Sequence, residues 1–397
     1  MIQLAERVSQ INEPQTIAMA KLSRELAAQG HDVISLSLGE PDFATPQHIK
    51  DAAKAAIDAN FSYYTPVAGI PELREAISAK FKRENGLDFT PAQTLVSTGA
   101  KQSLMNVIMA VINPGDEVII PTPYWVSYSE MVKLMGGVPV FIAAGVEQQY
   151  KITAQQLQSA ITSRTKAFMF SSPCNPTGSV YSKQELTALA EVFEQHPGIT
   201  IISDEIYEHI NFVGKHESIA QFTNLKDQVV VVNGMSKGFA MTGWRIGYIG
   251  GPLHIVQACE KIQAQYTSGT NSVAQKAATA ALTGTMTPTY EMRDAYQRRG
   301  ALVKNALDKI QGVICNEPQG AFYVFPYVSS YFGKSHGNTT IANATDLCMY
   351  LLHEAHVSMV TGDAFGAANC VRISYATSEA KLAEAMERIH HALTKLK

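Results

Sequence analysis

The chain has 397 residues, 46% of them hydrophobic and 17% charged, with a formal net charge of −3. A chain of this length buries roughly three quarters of its unfolded surface, so it needs no disulfides, and it predicts two or three domains or one large domain with a smaller companion. No dense Lys/Arg run supports nucleic-acid binding, and no apolar run approaches the ~18 residues of a membrane span.

The five cysteines, Cys174, Cys259, Cys315, Cys348 and Cys370, are scattered and never CxxC. That argues against a disulfide framework or a zinc site and suits a reducing cytosol, so a cytoplasmic location is expected. The opening MIQLAERVSQ has no apolar core, and no secretory signal is expected there.

Short apolar strands alternate with longer helical patterns. The predicted strands are TLVST (94–98), EVIIP (117–121), VPVFIA (138–143), KAFMFS (166–171), TIISD (200–204), QVVVVN (228–233) and RIGYIG (245–250). Helical periods lie between several of them, as at 102–112 and 182–195. The alternation predicts an α/β fold with a mostly parallel seven-stranded sheet flanked by helices. From about Pro288 the pattern changes to a long charged helix, a strand GAFYVF (320–325), a helix, a strand CVRISYA (370–376) and a final helix. This predicts a smaller α+β domain over 288–397, a large domain over 46–287, and an N-terminal arm over 1–45 packing partly with the small domain.

In open parallel sheets, ligands bind beyond the carboxyl ends of the strands. Four strand ends here carry unusual chemistry. TGAKQS (98–103) opens a helix, and its small residues let the amides of Gly99, Ala100 and Lys101 face an anion. A plain strand-to-helix turn is the alternative. SPCNPTG (172–178) places Asn175 in a turn, which is also ordinary loop chemistry. DEIY (204–207) ends an apolar strand on Asp204, a carboxylate expensive to bury unless paired, with Tyr207 three residues on. GMSKGF (234–239) holds Lys237 among small residues, and Arg245 follows. A confined lysine loses basicity and becomes a nucleophile able to form a Schiff base. The guanidinium fork of Arg245 suits a phosphate, and its Gly, Met, Phe and Trp neighbours argue against exposure. A ligand serving all four ends has an aldehyde, a phosphate, a cationic ring nitrogen and a phenolic oxygen, which is pyridoxal 5′-phosphate.

Two other patterns compete. Gly234, Ser236 and Gly238 match the GxSxG nucleophile elbow of serine hydrolases, which would leave Asp204, Asn175 and Arg245 unused. HEAH (353–356) resembles a metal pair without a third ligand, so no metal is expected.

From about Ser9 to its end, the chain resembles the class I aminotransferases, and within them the bacterial type of aspartate aminotransferase. The resemblance rests on GEPDF (39–43), YYTPVAGIPELR (63–74), STGAKQS, PYWVSY (123–128), SPCNPTG, SDEIYEH (203–209), SKGFAMTGWRIGY (236–248) and RISYA (372–376). It implies the fold of pyridoxal-phosphate-dependent transferases, with Lys237 carrying the cofactor as a Schiff base and acting as base and acid. Asp204 pairs with the ring nitrogen, and Asn175 and Tyr207 hold the phenolic oxygen. Gly99, Ala100, Lys101, Ser236 and Arg245 match phosphate-binding positions, and Trp125 stacks on the ring. Tyr64 matches a tyrosine that reaches the phosphate of a neighbouring subunit, which implies a homodimer with shared sites. Arg372 clamps the substrate α-carboxylate and Gly39 touches it. Lys101 and Thr16 match positions that help bind an acidic side chain, favouring aspartate or glutamate as donor and 2-oxoglutarate or oxaloacetate as acceptor. Prephenate is an additional acceptor, and alanine, aromatic or lyase chemistry is the alternative. Gly234 departs from the serine common at that position, which removes one hydroxyl from the phosphate site.

Overall fold

The computed structural model describes every residue except Met1, Gln3, Glu13 and Pro14, so the opening segment and EPQTIAMA fall partly outside the described residues. Its centre is a seven-stranded sheet: β1 (Thr94–Ser97), β2 (Glu117–Thr122), β3 (Val138–Ala143), β4 (Thr165–Ser171), β5 (Thr200–Asp204), β6 (Val229–Gly234) and β7 (Gly247–Gly250). The spatial order is β1-β7-β6-β5-β4-β2-β3. Only β7 runs against the rest, pairing antiparallel with both β1 and β6.

The near-continuous apolar strands are explained by burial on both faces. Along the strands, alternate side chains enter separate cores. Phe168, Phe170, Ile201, Val229 and Val231 join one cluster, and Ala167, Met169, Ile202, Val230 and Val232 join the other. Register then aligns the chemistry. Ser171 sits opposite Asp204, and Asp204 opposite Val232, so β4, β5 and β6 end side by side.

A third cluster unites Met19, Ile34 and Leu36 with Val303, Phe322, Leu351, Ile373 and Leu382. Ile34–Ser35 pairs in parallel with Val357–Ser358. The long helix runs from Thr287–Leu307. The two C-terminal strands are shorter than the apolar runs suggest, at Tyr323–Val324 and Val371–Ser374. Ala321 takes a φ of 56°, which breaks the extended run just before Tyr323. β7 likewise starts at Gly247 and not at residue 245, because Arg245 is left-handed at φ 58° after the turn Thr242–Trp244. Among the described residues, no helix is long and apolar enough to cross a membrane.

Candidate active site

The loops after β4, β5 and β6 and the helix Ala100–Val111 after β1 meet in a cavity of about 500 Å³. It is lined by Thr16, Gly39, Ala100, Lys101, Trp125, Asn175, Asp204, Tyr207, Ser236, Lys237, Arg245 and Arg372. The structure thus gathers residues more than 350 positions apart in one place. Gly99 stands immediately behind: a side chain there would collide with Arg245 Nη2, so the guanidinium reaches the helix N-terminus only over a glycine.

Asp204 ends β5 at 4% exposure. Its Oδ2 accepts from Tyr128 Oη at 2.6 Å and its Oδ1 from the Ile206 amide at 3.3 Å. Burial nevertheless pushes the carboxyl up to about 6. A cation in the cavity would offset that cost. Lys237 is partly buried, and its Nζ donates to the Gly39 carbonyl at 2.5 Å. Burial, then the charge of Arg372, bring its ammonium down to about 8.

Arg372 is 2% exposed. It donates from Nη2 to the Ser37 carbonyl at 2.6 Å and from Nη1 to Asn175 Oδ1 at 3.0 Å, and it lies 4.6 Å from the Tyr323 ring centroid. Its Nε is buried with no acceptor among the described residues, and a buried unpaired donor of this kind costs stability until an acceptor arrives. Tyr207 Oη meets Tyr323 Oη at 2.8 Å. Lys101 lies 4.8 Å from the Trp125 ring centroid, and burial, then the charge of Arg245, lower its basicity.

The phenol that reaches Asp204 is Tyr128, while Tyr207 meets Tyr323. One expectation needs correction. Arg245 is exposed despite its bulky neighbours, because its left-handed turn carries the side chain to the cavity rim, where Nη1 donates to the Thr242 carbonyl at 2.9 Å. Tyr64 is 99% exposed and is absent from the cavity of its own chain.

Several lining residues went unread in the sequence, Tyr128, Tyr323 and Arg24 among them. Tyr128 lies inside PYWVSY, and its role depends on a contact 76 residues away. Tyr323 sits in the GAFYVF run, where it looks like core. Arg24 shares one face of the helix Gln15–Ala28 with Thr16 and Ala20, a spacing of four that is legible only once the helix is placed against the cavity. Among the described residues, no histidine lines the cavity, so Ser236 has no base there and the hydrolase pattern carries no triad. His353 is exposed on its helix and joins no metal-spaced cluster.

Fold and site define an α/β protein with a weakly basic lysine and a buried carboxylate at the strand ends. Residues 31–389 match the family model for aminotransferase class I and II. The aspartate/prephenate aminotransferase of Cereibacter sphaeroides is 50% identical over 389 residues, covering 97% of each chain. The aspartate aminotransferase of Geobacillus stearothermophilus is 47% identical over 98% of each. The crystal structure of the Rhizobium meliloti aspartate aminotransferase superposes with a TM-score of 0.97 at 44% identity, covering all of both chains. That of the Thermus thermophilus enzyme with maleate gives 0.93 at 41%, covering 99% of this chain and 100% of that one. The chain belongs to the class I and II aminotransferases.

Proposed function

We propose that the protein moves an amino group between an acidic amino acid, aspartate or glutamate, and 2-oxoglutarate or oxaloacetate, using pyridoxal 5′-phosphate held at Lys237. Prephenate is a further acceptor. The observation that carries the reading is that a weakly basic amine, Lys237, a buried carboxylate, Asp204, and an arginine with an unpaired Nε, Arg372, line one cavity. The donor set fits the cofactor. Asp204 has no ion-pair partner among the described residues, a place that a protonated ring nitrogen would fill, and Gly99 leaves room for Arg245 beside the helix N-terminus, a natural phosphate seat. The cofactor supplies a carbonyl that condenses with amines and a ring that withdraws electrons.

The residues then divide the work. Arg372 binds the substrate α-carboxylate as a bidentate fork. Lys237 Nζ, with its lowered basicity, would take the proton from the substrate α-carbon as general base and give it up again as general acid. Asp204 keeps its charge toward the ring nitrogen, with Tyr128 fixing its orientation. Asn175 and Tyr207 would hold the ring oxygen, and Trp125 would cover the ring. Gly99, Ala100, Lys101, Ser236 and Arg245 would hold the phosphate. Lys101 and Thr16, with Arg24 beside them, meet the distal carboxylate. The maleate bound by the Thermus enzyme, a four-carbon dicarboxylate, supports that substrate class.

We also propose a homodimer in which the exposed Tyr64 serves the partner's phosphate site. The three-part division at 45 and 287 is kept, supported by the pairing of Ile34–Ser35 with Val357–Ser358. A cytoplasmic location is supported by five free cysteines. A panel of amino donors with 2-oxoglutarate tests the reading: aspartate should exceed alanine and phenylalanine in kcat/KM, and equal use of all donors would refute the acidic preference.

A further inference from the structure

Behind the cavity lies a polar cluster that this chemistry does not use. Lys80 ends the helix Pro71–Lys80 at 0% exposure. Its ammonium pairs with the buried carboxylate of Glu208 and donates to Asn85 Oδ1 at 2.8 Å. Glu208 also accepts from Asn85 Nδ2 at 2.9 Å and from Asn233 Nδ2 at 2.8 Å. Glu84 stands 3.7 Å from Lys80 and pairs with His209 Nε2 at 2.9 Å. On the other side, Glu205 pairs with His216 at 2.9 Å. Burial alone would push the Glu208 carboxyl up, but the charges of Lys80, His209 and His216 hold it well below the usual range. Glu208 has metal spacing with Glu84 and His209 and with Glu205 and His216. Lys80 already supplies the cation, so the geometry does not call for a metal.

A buried ion pair adds little net stability, because desolvation cancels most of its attraction. What this pair does hold is position. Glu208 follows Asp204 by four residues and Tyr207 by one. Asn233 precedes Lys237 by four, and its Oδ1 accepts from the Gly234 amide at 2.7 Å. The His209 ring packs against Gly238, where a Cβ would stand 2.7 Å from Nδ1. One carboxylate and its neighbour therefore grip the loop carrying Asp204 and Tyr207 and the loop carrying Lys237 from both sides.

We propose that Glu208, neutralised by Lys80, is a positioning residue that ties these two loops together through Asn233 and sets the separation of the Lys237 amine from the Asp204 carboxylate. The inference rests on the function proposed above. Asn233→Ser cuts the tether and keeps the ion pair, whereas Lys80→Met/Glu208→Leu removes the tether and both charges together, because Asn233 donates to the Glu208 carboxylate.

The experiment compares both variants with the parent as holoenzymes. It reads kcat and KM for aspartate, the pH midpoint of the bound cofactor's visible absorbance, and Tm. In both variants kcat should fall about tenfold or more, the cost of a small misplacement, with KM changed less than about twofold. The absorbance midpoint should move by about half a pH unit or more, since that midpoint senses the charges around Lys237. Lower Tm with parental kcat and parental midpoint overturns the proposal. Loss of the fold in both variants also overturns it, because the cluster would then serve folding alone. A parent that transaminates no donor refutes the proposed function itself, whereas an active parent with unchanged variants refutes only the positioning role.

Discussion

Replacing Asp204 by Asn should move stability and activity in opposite directions. A carboxyl held at about 6 instead of its ordinary 3.8 carries a penalty on its ionised form of about 3 kcal/mol. The sign follows from proton binding. Between pH 3.8 and about 6 the folded chain holds a proton that the unfolded chain has released, so the penalty is absent below 3.8 and complete above 6. Asn keeps the shape and can still accept from Tyr128 Oη, as Asp204 does at 2.6 Å, but its Nδ2 then faces the Ile206 amide and that bond is lost. The cofactor-free variant should therefore be more stable than the parent at pH 7.5, by up to about 3 kcal/mol less the cost of the lost Ile206 bond. The gain should vanish near pH 4. With cofactor bound, the same change removes the charge facing the ring nitrogen, and kcat should fall by about 10²-fold or more. Urea unfolding of the cofactor-free protein at both pH values, beside steady-state kinetics, measures the two effects. Near-normal turnover, or destabilisation of equal size at both pH values, would refute the reasoning.

Three further outcomes follow from the same geometry. With its ammonium at about 8, roughly one Lys237 in ten is neutral at pH 7, against about one in three thousand for an ordinary lysine. Cofactor uptake by the apoprotein, followed by absorbance, should rise with pH and level off above about 8, and a rate still climbing through pH 10 contradicts the assignment. Lys101→Ser should raise the KM for aspartate about tenfold, the scale of one charge-assisted hydrogen bond, and leave that for alanine unchanged; an unaltered aspartate KM counts against an acidic-side-chain role. Tyr64→Phe should weaken cofactor retention about tenfold through the partner's site, measured by equilibrium dialysis, and unchanged affinity removes Tyr64 from the phosphate site.

The sheet was legible because both its faces are buried, which leaves continuous apolar runs. TIISD matches its buried strand residue for residue, and so does VPVFIA, although at the sheet edge only Ile142 of that run is buried. The site was legible where chemistry conflicts with its surroundings, as with Asp204 at the end of an apolar strand or Lys237 among glycines. It was illegible where a role depends on a distant partner. Tyr128 gives no local sign of facing Asp204, and Arg372 and Asn175 meet across 197 residues. Lys80 reads as one more lysine on a charged helix, and only packing shows it to be the counterion of Glu208. Arg245 misleads for a backbone reason, because its left-handed turn overrides the exposure that its neighbours suggest. Tyr64 is exposed and does not line the cavity of its own chain, so its proposed role rests on the proposed dimer.

The most direct measurement is borohydride reduction of the purified, cofactor-supplied protein followed by peptide mass mapping. The account predicts one pyridoxyl group, on Lys237, and a shift of the absorbance when aspartate is added before reduction. A tag on another lysine, or none at all, would contradict it.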